Sequence, residues 1–365
     1  MSVKIAIIGL PKSGKTTIFN ALTRGEAEVS PYSSSLTPNI GIARVTDARL
    51  LKLENIFQPK KTTPAEVNYV DIAGSPKSID THGEIKGELL NYLSTADALL
   101  QVVRTFEDEN LPHLEGSIDP ERDITTMDLE LAFSDLAIID RRLDKLEKSL
   151  KGAKASERDL YHKEQLLLQK IKAALENETP IRQQELGKEE LKALTNYQFL
   201  TAKPMLLILN IGEGQIPQAS QLEDKISSLC PQFSVVALCG KLEMELTQLS
   251  EAEAAEFRQA MGLSAPALNQ VIDLSYHLLK LISFFTTASA ELKAWTIPQG
   301  TTAFKAAGKI HSDMERGFIR AEVISYHDLE ECGHLAEARK KGLLRVEGKE
   351  YAIHDGDIVT ILFNV

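Results

Sequence analysis

The segment Gly9-Leu-Pro-Lys-Ser-Gly14-Lys15-Thr16 constrains this chain more than any other. It matches G-x-x-x-x-G-K-[ST] at every position, between the apolar run Val3–Ile8 and the helix-forming Thr17-Ile-Phe-Asn-Ala-Leu22. Strand, glycine loop and helix in that order make a phosphate cradle. The loop's N–H groups turn inward, and the helix start adds positive potential. In such a cradle Lys15 reaches the β- and γ-phosphates, and the Thr16 hydroxyl serves Mg²⁺. Gly9, Pro11, Lys12, Ser13, Gly14, Lys15, Thr16 and Thr17 are therefore nucleotide-binding positions, with Lys15 also a catalytic one.

About 55 residues on, Val70-Asp71-Ile-Ala-Gly74 closes another predicted strand. An aspartate there holds the metal through water, and the Gly74 N–H meets the γ-phosphate. Strands are predicted at Val3–Ile8, Glu66–Ile72, Ala98–Val103, Met205–Asn210 and Phe233–Leu238, with helices at Lys15–Thr23 and Glu84–Ser94. Alternation of this kind gives an α/β fold with a parallel sheet covered by helices. A long interruption separates the third and fourth strands. In it Leu129, Ala132, Leu136, Ile139, Leu143, Leu146 and Leu150 recur every three or four residues, the seam of a long packed helix. Lys151-Gly-Ala-Lys-Ala-Ser156 breaks it, and Tyr161, Leu168, Ile171 and Leu175 mark a second helix. The two form an antiparallel hairpin, either a spacer or an interaction arm. From about Leu281 an α+β module follows, with strands at Glu291–Ile297, Gly317–Ile324, Leu344–Val346 and Ile358–Phe363 and a helix near Thr302–Met314. The expected division is a nucleotide-binding domain over 1–127 and 200–280, the hairpin over 128–199 and the last module over 281–365.

Composition narrows the classes. A net charge of -11 excludes a surface that is basic throughout, though a local patch can still meet RNA. Lys305, Lys309, Arg316 and Arg320 supply such charge, and a merely solvated face explains them more simply. No apolar run reaches a bilayer-spanning length, and the opening apolar run leads into the glycine loop instead of a cleavage site. The 3 cysteines make no C-x-x-C pair, so no disulfide framework or zinc site is expected and a reducing cytoplasm is. A monomer without membrane contact is the separate expectation for its assembly.

After Met205–Leu209 stands Asn210-Ile-Gly-Glu213, where GTPases carry N-K-x-D to read guanine. The lysine is absent and the acid is one methylene longer. With the Gly9–Thr23 and Val70–Gly74 segments, and with Ala294-Trp-Thr296, Ala307-Gly-Lys-Ile-His-Ser-Asp313 and Gly317–Val323, this resembles the YchF/Obg-like ATPase family along nearly the whole chain. The resemblance implies a G domain interrupted by a helical hairpin and followed by a β-grasp TGS domain. It implies binding of ATP, and of GTP too, with Mg²⁺, and slow hydrolysis by a ribosome-associated regulator of translation or stress. It implies contact with the ribosome or structured RNA through the TGS domain and the hairpin. By position it places Ser35 as a switch I metal ligand, Asn210 and Glu213 as the base-specificity pair, and Cys239 and Gly240 in the base-cradling loop.

The chain departs from the family in the nucleotide-sensing loops. Ser75-Pro76 replaces the residue after D-x-x-G, Thr37 stands where glutamate is usual, and the run from Ser78 to Lys86 has lost most of its glycine. His113, which matches a family histidine, and His82 are the candidate water-orienting groups. Two readings stay open: a slow ATP/GTP switch enzyme, or a nucleotide-gated adaptor without meaningful turnover. A metabolic kinase is a weaker third, since it leaves Asn210, Glu213 and the last module without a role.

Overall fold

The structure is a computed structural model that describes residues 3–25, 27, 38–71, 87–113, 115–152, 154–261, 263, 266–288 and 290–364. Gly74, Ser35, Thr37, Ser75, Pro76 and His82 lie outside the described residues. The chain forms two compact units, one from Lys4–Gly41 and Tyr69–Leu268, the other mainly from Ile42–Asn68 and Asn269–Val365. Residues 42–68, placed with the phosphate loop by sequence reading, thus group with the C-terminal residues.

The larger unit holds most of a six-stranded sheet. In chain order its strands are β1 (Lys4–Ile8), β2 (Asn39–Arg44), β4 (Glu66–Asp71), β5 (Ala98–Arg104), β6 (Met205–Asn210) and β7 (Ser234–Leu238). They lie in the order β2-β4-β1-β5-β6-β7, and β1–β5, β5–β6 and β6–β7 pair in parallel. β5 and β6 are buried along their full length, which explains why they read as continuous apolar runs. Strands are added on both sides of β1, so the chain reverses direction of growth beside it. Ligands bind at the carboxyl ends of parallel strands at such a switch point. Helix α1 (Lys15–Thr23) begins there, with the bounds expected from the sequence.

Helices α4 (Pro120–Leu150) and α5 (Ala155–Glu176) form the expected hairpin. Asp119 caps α4 by accepting from the Arg122 N–H, and Pro120 occupies its first turn, where a missing N–H is harmless. At 31 residues α4 is ~47 Å long. Asp140 pairs with Lys172 and Arg142 with Glu164, so partner numbers fall as α4 advances and the helices run antiparallel. Ala132, Ile139 and Leu146, seven residues apart, are buried against Leu168, Ile171 and Leu175, with Leu136 and Leu143 packed beside them. Leu129 and Leu150, the ends of the expected seam, remain half-buried outside this cluster. At the base of the arm the buried Asp135 accepts from the Leu200 N–H, the Thr201 N–H and the Thr201 hydroxyl. Burial pushes its carboxyl up to about 6.

The second unit has its own sheet. Its strands are β3 (Lys61–Thr63), β8 (Leu281–Ala288), β9 (Glu291–Pro298), β10 (Phe318–Ile324), β11 (Arg345–Glu347) and β12 (Ile358–Phe363), in the order β11-β10-β12-β8-β9-β3. β8 and β9 form an antiparallel hairpin, and β12 lies parallel to β8. Ala303, Ala306 and Ala307 are fully buried on helix α11 (Ala303–Ile310), small side chains that let it lie close to the sheet. The single helix expected over Thr302–Met314 is two, because His311 is extended and caps α12 (Ser312–Arg316) by accepting from the Asp313 N–H. Helix α2 (Ala48–Phe57) also belongs here. Arg49 reaches Asp47 and Asp355 and lies 5.5 Å over the Phe285 ring.

Candidate nucleotide site

The carboxyl ends of β1, β4, β5, β6 and β7 carry the candidate residues to one place. Between β1 and α1, Gly9 and Gly14 have φ of 148° and 93°, and Lys12 a φ of 65°. These left-handed turns bend the loop back over its own N–H groups. α1 has no capping side chain and no acid in its first turn, so its N-terminal potential is available to an anion. Ser13 is buried, with its hydroxyl unpartnered; Pro11 and Thr17 are half-exposed.

Lys15 is only 7% exposed, and its ammonium donates to the carbonyls of Gly9 (2.9 Å) and Leu10 (3.1 Å). Burial pulls its pKa down to about 8, and the Asp71 and Glu130 carboxylates restore only part of that. A buried cation held by two carbonyls and no carboxylate contact is poised to exchange them for phosphate oxygens.

Asp71, 0% exposed at the end of β4, faces this lysine. Its Oδ2 accepts from the Thr16 hydroxyl (2.8 Å) and from the Asn39 amide (3.3 Å). Its Oδ1 is buried without a partner among the described residues. A carboxylate oxygen left so is costly unless a cation meets it. With the Thr16 oxygen it forms a hard, oxygen-only donor set that suits Mg²⁺, which takes its other ligands from phosphates and water. No cluster of three or more His, Cys, Asp or Glu suited to a metal occurs among the described residues.

Asn210, expected in the base-specificity pair, makes two contacts within the protein. Its Nδ2 donates to the Ser13 carbonyl (2.9 Å), and its Oδ1 accepts from the Gly240 N–H (3.0 Å). It is buried, and it ties the phosphate loop to the loop after β7. Glycine is required on both sides of it. A Cβ at Gly14 would lie 2.1 Å from Asn210 Nδ2, and one at Gly240 would lie 3.0 Å from Asn210 Oδ1 and 2.6 Å from Ile18. Cys239, also buried, precedes helix α8 (Gly240–Leu246), and burial raises its thiol pKa. Glu213 is exposed and pairs with Lys241 at 3.3 Å, so of the motif's two polar side chains it is the one facing outward.

His113, expected as a water-orienting group, has protein partners at both ring nitrogens. Its side chain is 6% exposed, its Nε2 donates to Asp123 Oδ2 (2.9 Å), and its Nδ1 accepts from the Glu115 N–H (3.2 Å). Asp123 stands in the first turn of α4 and also takes Arg122, so this network anchors the arm's first turn. Sequence reading missed two polar residues that the fold brings in. Asn39 reaches Asp71, and Gln215 bridges the Gly212 N–H and the Thr105 carbonyl. Neither lies in a pattern with a period, so no sequence signal marked them.

A parallel sheet with a phosphate loop after its first strand, and a buried aspartate facing the loop's lysine and threonine, defines the P-loop NTPase class. The family model described as "50S ribosome-binding GTPase" matches residues 4–132. YchF-GTPase_C, described as "Protein of unknown function (DUF933)", matches residues 281–364. The "Ribosome-binding ATPase YchF" of Bacillus subtilis is 38% identical over 370 residues, covering 100% of both chains. That of Pasteurella multocida is 39% identical over 368 residues, again covering 100% of both. The solved Schizosaccharomyces pombe YchF GTPase superposes with a TM-score of 0.86 at 31% identity, covering 99% of this chain and 98% of its own. The chain belongs to the YchF family. Among the described residues no helix is long and apolar enough to cross a membrane.

Proposed function

We propose that this chain binds ATP, and GTP less selectively than a dedicated GTPase, with Mg²⁺, hydrolyses the β–γ bond slowly and associates with the ribosome. The observation that carries the nucleotide chemistry is the convergence of Lys15, Thr16 and the open Oδ1 of Asp71 on one loop. On nucleotide binding Lys15 leaves the Gly9 and Leu10 carbonyls for the phosphates, and the loop N–H groups take the remaining oxygens. Thr16 and Asp71 would hold Mg²⁺ together with Ser35, and the Gly74 N–H would meet the γ-phosphate; Ser35 and Gly74 are assigned by position alone. When bound, Mg²⁺ neutralises charge on the β- and γ-phosphates. The guanine-reading aspartate is replaced by an outward Glu213 and the motif's lysine is absent, which supports adenine tolerance. Ribosome association rests on the relatives' names, and the C-terminal module and the hairpin arm are the surfaces we assign to it. The region 281–365 is read as a TGS domain and 128–199 as the arm, in a cytoplasmic monomer.

A non-catalytic adaptor is the second reading, favoured by one observation: the committed nitrogens of His113 leave no water-orienting group among the described residues that sequence reading had nominated. Calorimetric titration with Mg-ATP and Mg-GTP, phosphate release, and ribosome co-sedimentation with and without nucleotide separate the two. Lys15→Ala serves as the control. Lys15-dependent release supports the enzyme, binding without release supports the adaptor, and binding unaffected by Lys15→Ala refutes the site.

A further inference from the structure

The carboxylate of Asp71 is held asymmetrically. Two donors from separate elements, Thr16 on α1 and Asn39 at the first position of β2, converge on Oδ2, while Oδ1 has none. A buried carboxylate with one donor can still turn about its terminal torsion, which is broad and soft. Two donors on the same oxygen fix that rotation and present the other oxygen in a set direction. The donors differ in kind. The Thr16 hydroxyl is a rotor whose oxygen lone pairs also serve a cation, so its direction is set jointly by the cation and by Oδ2. The Asn39 amide nitrogen has only hydrogens to give. It can hold Oδ2 with or without the cation.

We propose that Asn39 is a positioning residue for the divalent-cation site. It holds Oδ2 of Asp71 and so leaves Oδ1 as the oxygen offered to a cation. The proposal rests on reading the Lys15, Thr16 and Asp71 cluster as the Mg-nucleotide site. A hydrogen bond to a charged group is worth enough that its loss weakens cation binding about tenfold.

The test uses the full chain and fluorescently labelled ATP, titrated with Mg²⁺ at fixed nucleotide and, separately, in EDTA. Asn39→Ala should raise the half-saturating Mg²⁺ about tenfold while leaving affinity in EDTA within about twofold. Asn39→Ser, which keeps a donor, should fall between, and it carries the readout if the alanine variant does not fold. Asn39→Asp sets a second carboxylate beside Asp71 and should show a larger Mg²⁺-induced rise in Tm than the wild type. Lys15→Ala, run alongside, should lose nucleotide affinity in both conditions. Unchanged half-saturation in Asn39→Ala, with Lys15→Ala inactive in binding, overturns the role of Asn39 and leaves the site reading intact. An equal loss of affinity in EDTA and in Mg²⁺ also overturns it, since a merely structural residue behaves so. Normal binding by Lys15→Ala sinks the site reading itself.

Discussion

Lys15 gives the nucleotide-free protein a stability penalty that can be measured. Its pKa falls from 10.5 to about 8 on folding, chiefly through burial. At about 1.4 kcal/mol per pH unit, this interval corresponds to ~3 kcal/mol at neutral pH, and at 7% exposure solvent screening reduces it little. Between about pH 8 and 10.5 the unfolded chain keeps this proton while the folded chain has released it. Unfolding free energy therefore rises with pH across that window, and the penalty is complete below it. Lys15→Met keeps an unbranched chain of similar length without the titrating group. The carbonyl contacts to Gly9 and Leu10 vanish at every pH, so they offset the two curves without changing their relative slope. The assay is urea unfolding of both proteins without nucleotide at pH 8, 9 and 10. Wild type should gain on the variant by up to ~1.4 kcal/mol per pH unit, reaching ~2 kcal/mol between pH 8 and 10. Saturating Mg-ATP should abolish the gain, because phosphates keep the ammonium charged. Curves parallel within about 0.5 kcal/mol would refute the claim that burial dominates this lysine.

Asn210→Ala should lower stability by ~2–4 kcal/mol by orphaning the Ser13 carbonyl and the Gly240 N–H, and weaken nucleotide binding at least about tenfold. Equilibrium unfolding and calorimetry check both, and wild-type stability would show that Asn210 is not the tie between the two loops. His113→Gln should reduce stability by ~1–3 kcal/mol while single-turnover phosphate release changes less than about threefold, because the ring is committed to Asp123 and the Glu115 N–H. A hundredfold loss of release in a folded His113→Gln protein would restore the catalytic reading.

The sequence by itself determined the parts whose physics is local or periodic. The phosphate loop needs glycine at fixed offsets between a strand and a helix, and α1 begins and ends where that requires. The fully buried β5 and β6 announce themselves as unbroken apolar runs, and the seven-residue recurrence of Ala132, Ile139 and Leu146 is the arm's buried seam. Only the tertiary structure decided what non-periodic polar side chains do. Asn210 looked like part of a base-reading pair and is a buried tie between two loops. His113 looked available and is locked to the arm's first turn. Asn39 had no signal at all, and Ile42–Asn68 gave none of its grouping with the C-terminal residues. A polar group's role is set by which partners the fold brings within about 3 Å, and partners as far apart as Asn210 and Ser13, or Asn39 and Asp71, leave no spacing to read.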